Sequence, residues 1–282
     1  MKGRTCRGRP AACAAPLPGL LGVDFVSWEQ MALGFGSGGL IGLLLGLVGG
    51  GGSILAVPLL LYVVGVPQPH VAIGTSAAAV AANAMVGVVN HARAGTVKWR
   101  CAIAFAIAGG IGAVAGSALG KTVDGQRLII LFALLMLVIA ALMLLRRHDR
   151  DAPNVRLSPQ NAPMLIGLGL ASGALSGFFG IGGGFLIVPA LIFATRMPIL
   201  NAVGTSLFAI SVFGLATTLS YALSGLVDWR LAGMLVAGGL VGGMVGARAA
   251  RRLAAHKGAL NLVLATMIAL VALAMLARQL IR

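Results

Sequence analysis

The chain has 282 residues, of which 59% are hydrophobic and only 10% charged, and its mean hydropathy is +1.00. Soluble globular domains carry charge on roughly a quarter of their residues, so a water-soluble fold is excluded and the bilayer is the expected solvent. The net charge of +15 does not point to nucleic acid, because Lys and Arg form short clusters between apolar stretches instead of a stripe along one face.

In chain order, residues 1–30 come first, a tail carrying Lys2, Arg4, Arg7 and Arg9 and then a Pro/Ala/Gly-rich run. It lacks the apolar h-region of about 7–15 residues that a secretion signal needs. It reads as a disordered basic tail, or as an extension from a start codon assigned too early, since the patterned part begins near Met31. A first membrane repeat, 31–146, holds apolar units at about 31–62, 70–90, 101–119 and 128–145. A linker at 147–162 leads to a second repeat, 163–282, with units at about 164–193, 201–222, 231–247 and 259–277. Stretches of about 20 apolar residues suit helices crossing a core of roughly 30 Å. A barrel is excluded because runs such as 128–145 are apolar on every side, where barrel strands alternate.

The halves echo one another. GLVGGGGSILAVP at 46–58 returns as GFFGIGGGFLIVP at 177–189, and Gly74-Thr75-Ser76 returns as Gly204-Thr205-Ser206, the register slipping once between the two matches. In the register of the triplets, Gly95, Trp99-Arg100, Gly112 and Gly116 return as Gly225, Trp229-Arg230, Gly242 and Gly246. An ordered set of such landmarks indicates duplication. The leading unit of each half, about 30 residues, is too long for one ordinary helical span and is interrupted by glycines, which predicts a broken or re-entrant helix beside a cavity. Counting each leading unit as one crossing, with the N-terminus inside, places twice as many Lys and Arg inside as outside. Counting two crossings reverses the bias. The positive-inside rule therefore favours an all-α polytopic membrane protein of about eight transmembrane helices in two tandem repeats, which four crossings per half would make parallel.

The glycine clusters, Gly49–Gly52 with Ser53 and Gly180 with Gly182–Gly184, are the sharpest functional signal. Consecutive glycines let the backbone turn sharply, and N–H groups at the start of the next half-helix attract an anion. Paired breaks in matching positions of two halves point to a transporter's binding site. The alternative, close helix crossing, is already served by Gly34, Gly38, Gly42 and Gly46 at four-residue spacing. Thr75, Ser76, Thr205 and Ser206 place hydroxyls within apolar spans, available to an oxyanion or to their own backbone or a neighbouring helix. Pro58 and Pro189 are expected to kink their segments. Trp99-Arg100 and Trp229-Arg230 suit interfacial anchoring, with electrostatic attraction of an anion at the cavity mouth as the alternative. Asn90 and His91 read as loop-edge residues, and the deeper Asn83 as a packing hydrogen bond.

The six acidic residues, Asp24, Glu29, Asp124, Asp149, Asp151 and Asp228, all lie outside the apolar spans, which disfavours a carboxylate proton relay or sodium site. Cys6, Cys13 and Cys101 have no metal-site or disulfide spacing, and neither a His-Glu-x-x-His motif nor a nucleophile elbow occurs. The expectation is a protein without cofactor or metal, and not an enzyme.

The doubled glycine block followed by Pro, the Gly-Thr-Ser triplets and the Gly-x-Val-x-Trp-Arg ends resemble the TauE/SafE family of sulfite exporters, over about residues 31–276. The second-half pattern, from Gly180 through Gly182, Gly183 and Gly184 to Pro189, matches most closely, and the first half departs from it with Ser53 at the position of Gly184. The resemblance implies a multi-pass bacterial inner-membrane permease for sulfite, sulfonates or related organosulfur anions, commonly outward. The residues expected to bind the anion are Gly51, Gly52, Ser53, Thr75 and Ser76, with Gly182, Gly183, Gly184, Thr205 and Ser206. A permease for another small anion such as a carboxylate, and a non-transporting membrane assembly protein, remain alternatives. The expected partners are the anion and the lipid bilayer; oligomeric state is not legible.

Overall fold

The computed structural model describes residues 28–48, 51–145, 161–180, 184–197, 199–253, 266 and 269–277. The expected tail before 28, nearly all of the linker and about half of the final apolar unit lie outside the described residues. All regular structure among the described residues is helical: α1 (Trp28–Val48), α2 (Ser53–Leu59) running into a π-helical turn at Leu60–Val64, α3 (Pro69–Arg93), α4 (Trp99–Thr122), α5 (Gly125–Leu145), α6 (Ala162–Phe179), α7 (Gly184–Thr195), α8 (Ile199–Ala222) and α9 (Trp229–Leu253).

Local chemistry sets several boundaries. Pro69 opens α3, where its missing N–H costs nothing. Gly95 and Gly225 take left-handed conformations, φ 68° and 69°, in the turns before α4 and α9. Asp228 caps α9, its Oδ1 accepting from the N–H groups of Arg230 (3.0 Å) and Leu231 (3.1 Å). The corresponding residue before α4 is Lys98, without a side-chain cap.

Three helix pairs organise the bundle: α1 with α9, α4 with α6, and α3 with α8. Glycines let the first two approach to backbone contact. A Cβ at Gly38 would overlap Leu235, and one at Gly42 would overlap Gly239; across the other pair Gly116 meets Ala174, Gly120 meets Phe178 and Gly173 meets Gly109. Van der Waals packing, not a hydrophobic driving force, joins helices in lipid, so small residues are what close apposition requires.

The same contacts give direction. Residue numbers rise together along α1 and α9 and along α4 and α6, so both pairs are parallel. Along α3 and α8 they run oppositely: Gly74 lies by Tyr221 and Leu226, Ala77 and Ala81 by Gly214, and Gly87 by Leu207. At Gly51-Gly52 the chain turns back on itself, and a Cβ on Gly52 would strike the α1 backbone at Ile41 and Leu45. The first leading unit is thus two helices separated by a reversal, not one interrupted crossing, and the second is likewise divided into α6 and α7. Among the described residues six helices are long and apolar enough to cross a membrane, and Ser53–Val64, Gly125–Val138 and Leu186–Thr195 are shorter apolar helices. The expected eight spans are not reproduced among the described residues. Hydropathy reads α1 and α2 as one apolar run and is blind to the direction of the turn between them.

The outward faces of the bundle are apolar. Ile107, Ile111 and Val114 on α4 and Leu219 on α8 are each more than half exposed, which water would not tolerate over such an area and lipid does.

Candidate transport site

The second break touches α3, and the helix that follows the first rests on it. In the first, Gly51 and Gly52 form the turn, Ser53 starts α2, and all three are buried. The N-terminus of α2 has no side-chain cap. In the second, α6 ends on Gly180 in a left-handed conformation, φ 65°, and α7 begins at Gly184. Gly182 and Gly183 lie outside the described residues. Gly180 packs against Ile73 of α3 so closely that a Cβ would overlap that side chain. The Ser76 hydroxyl donates to the carbonyl of Ile73 (2.9 Å) and lies 3.4 Å from that of Gly180. The short helices α2 and α7 touch each other, α2 rests on α3 and α7 on α8.

The hydroxyls of the two Gly-Thr-Ser triplets sit fully buried in matching roles. Thr75 Oγ1 accepts from the N–H of Asp228 (3.0 Å), fastening the loop before α9 to α3. Thr205 Oγ1 accepts from the N–H of Lys98 (3.1 Å), fastening the loop before α4 to α8. Ser206 donates to the carbonyl of Val203 (2.8 Å). Both threonines tie one half of the chain to the other, over 153 and 107 residues of sequence, and no local pattern announces such partners.

The two prolines differ. Pro58 is buried and the chain widens into a π-helical turn directly after it, as expected where a missing N–H breaks the ladder. Pro189 faces outward, and α7 continues as α-helix to Thr195. Trp99 and Trp229 are exposed beside exposed Arg100 and Arg230, where anchoring residues belong. Trp99 also packs edge-on against Phe208, with ring centroids 5.6 Å apart.

Asn83 departs from expectation. It is buried in α3, but neither its amide nitrogen nor its amide oxygen has a hydrogen-bond partner among the described residues; no packing hydrogen bond forms. The side chain lies against the backbone of Gly239 and lines a cavity of about 70 Å³ between α1, α3, α8 and α9. Asn90 and His91 line the same cavity. His91 Nδ1 also meets the Thr96 hydroxyl at 2.9 Å, bracing the turn after α3.

A family profile described as "Sulfite exporter TauE/SafE" matches residues 34–275, a span that takes in both glycine breaks and the Asn83 cavity. The chain belongs to the TauE/SafE family. It is a membrane transporter of that family, a permease with several passes through the bilayer. Similar curated proteins carry matching names. A "Probable membrane transporter protein" of Xylella fastidiosa strain 9a5c is 51% identical over 248 residues, covering 87% of this chain and 94% of the relative. The "Probable membrane transporter protein YunE" of Bacillus subtilis strain 168 is 29% identical over 236 residues, covering 76% and 85%. A similarly named protein of Methanocaldococcus jannaschii is 30% identical over 189 residues, covering 65% and 69%. No solved structure matches.

Proposed function

We propose that this TauE/SafE permease exports a small sulfur-containing anion, such as sulfite or an organosulfonate, across a bacterial inner membrane. The anion is received where the two glycine-broken segments meet, by main-chain N–H groups around Gly51, Gly52 and Ser53 and around Gly182, Gly183 and Gly184. Ser76 lies against the second break at Gly180, whereas Thr75 and Thr205 fasten loops at opposite ends of the α3–α8 pair, and Ser206 stands beside Thr205. One observation carries the reading: α2 and α7, each starting directly after a glycine break, lie in contact, and the α2 start has no side-chain cap. Helix starts attract negative charge through the direction of their N–H groups and the helix dipole. The family supports a transported solute; sulfur is the finer step, taken from the family's description.

The halves are read as inverted repeats. The supporting geometry is the antiparallel course of α3 and α8, which occupy equivalent places in the two halves and pack together. A two-fold axis relating antiparallel spanning helices lies in the membrane plane, the arrangement in which two halves can exchange conformations around a central site.

Export of an anion is assisted by an inside-negative potential, by about 2.3 kcal/mol per charge per 100 mV, so no buried carboxylate is needed for coupling. Purified chain in proteoliposomes, offered sulfite, thiosulfate, taurine and acetate in turn, is expected to pass the sulfur anions and to slow when an ionophore collapses the potential. Replacing Gly51 or Gly183 with a bulky residue is expected to abolish flux while leaving insertion intact. Preference for acetate would replace sulfur by a carboxylate substrate, and no flux of any anion would favour a packing or assembly role.

A further inference from the structure

We propose that the cavity beside Asn83 is a second, single-copy binding station of this permease, taking a small oxyanion that still carries a proton or another donor group, and that its counterpart in the other half is closed by Phe213. The inference rests on the anion-transport reading above and adds a place and a selectivity to it.

The geometry is that of a polar group built to meet a ligand. Asn83 is 6% exposed, and both ends of its amide lack partners. Either assignment of the amide's nitrogen and oxygen leaves one donor end and one acceptor end unpaired, and buried polar groups in folded proteins are otherwise almost always paired. The adjoining space, about 70 Å³, is walled by glycines, among them Gly42, Gly87 and Gly239, and by apolar side chains such as Leu45 and Leu207, and it extends along α3 to Asn90 and His91 near the helix end. Space for one water requires about 10–15 Å³, so a small oxyanion has room.

The equivalent place in the other half differs in one decisive way. Counted from the Gly-Thr-Ser triplets, Phe213 stands in the second half where Asn83 stands in the first; counted from the Trp-Arg pairs, Gly109 stands in the first half where Gly239 stands in the second. Asn83 rests on Gly239; Phe213 rests on Gly109. The Phe213 ring is fully buried and stacks on Phe105, with centroids 6.0 Å apart and planes 18° from parallel. The same backbone notch is therefore polar and open on one side, aromatic and filled on the other.

The amide also dictates the ligand. Its N–H₂ donates to an anionic oxygen, but its carbonyl oxygen would face a fully ionised anion without a proton between them. A monoprotonated oxyanion such as hydrogensulfite, or an aminosulfonate, satisfies both ends. A fully deprotonated one does not.

The test uses the full chain and two variants, Asn83→Leu, which keeps the branched shape and removes the amide, and Asn83→Phe, which copies the other half. Thermal unfolding in detergent is followed with sulfite, thiosulfate, taurine or acetate, each below and above neutral pH, beside efflux from proteoliposomes. The expected result is that sulfite raises the wild-type midpoint more below neutral pH, that neither variant responds, and that efflux falls about tenfold or more, as for loss of a hydrogen bond to a charged group. The ligand-free midpoint of Asn83→Leu should equal or exceed that of the wild type, which a purely structural asparagine would not allow. Stabilisation and flux of both variants at wild-type levels overturn the cavity while leaving the transport reading standing. A wild type stabilised only by acetate, through Asn83, overturns both sulfur and the required donor group and leaves only the place of the cavity standing. If no anion stabilises the wild type and Asn83→Leu melts lower, Asn83 is structural and the station is rejected.

Discussion

The interface between α1 and α9 and the one between α4 and α6 are built almost residue for residue alike, yet the notches they border hold an asparagine in one case and a phenylalanine in the other. Gly42 meets Gly239 as Gly173 meets Gly109, and Gly242 meets Gly39 as Gly112 meets Leu170. Asn83 and Phe213 sit over the two central glycines. The comparison teaches that scaffold and site answer to different constraints. Backbone contact between helices leaves no room for a side chain and holds both interfaces to glycine, whereas the notch tolerates any side chain that fits, so one copy can carry chemistry while the other carries packing.

The strongest way to break that likeness is to fill an interface. Gly42→Leu and Gly173→Leu each force a side chain into the facing backbone, and each is expected to cost about 3 kcal/mol or more, seen as loss of monodisperse protein in size-exclusion chromatography. A clear difference between the two would mean that the interfaces are less alike than their contacts.

Opening the aromatic notch comes next. Phe213→Asn removes a ring stacked on Phe105 and is expected to lower stability by about 3 kcal/mol, in the range of large-to-small core changes, read as a fall in the thermal unfolding midpoint. An unchanged midpoint would mean that the ring does not fill its site.

Thr75→Val and Thr205→Val sharpen the comparison at a smaller scale. Each removes the acceptor for one loop N–H, that of Asp228 or that of Lys98, and each is expected to cost about 1 kcal/mol in the same melting measurement. Asp228→Ala should cost a further ~1 kcal/mol through its N-cap, whereas Lys98→Ala, with no cap to lose, should change little.

The smallest effect is expected where glycine meets nothing. Gly36 on α1 and Gly167 on α6 have open space around them, so alanine there should stabilise by up to about 1 kcal/mol through helix propensity. Destabilisation at either position would reveal a neighbour, such as a second copy of the chain, against that face.

Much of the fold was legible because its signals are local. Gly34, Gly38, Gly42 and Gly46 announced a packing stripe, and they meet α9. The glycine clusters announced breaks, and the chain turns back at the first and leaves the α-helix at the second. The part of the candidate site that escaped is long-range. The sequence offers Thr75 and Thr205 an oxyanion, their own backbone or a neighbouring helix, but each accepts from the N–H of a distant loop. Asn83 was read as a packing residue because a lone amide in an apolar helix usually finds a partner, and whether it does depends on three helices from both ends of the chain.

The sequence by itself determined that this protein lives in a bilayer, that it is helical, where its chain breaks and where its helices can touch, because composition, hydropathy and the absence of side chains at glycine act at each residue or over a single turn. Only the tertiary structure decided the course of the helices, the reversal at Gly51-Gly52, and the inequality of the Asn83 and Phe213 notches. Those depend on which apolar face meets which, and van der Waals packing between helices in lipid has no sequence signature until both partners are in place.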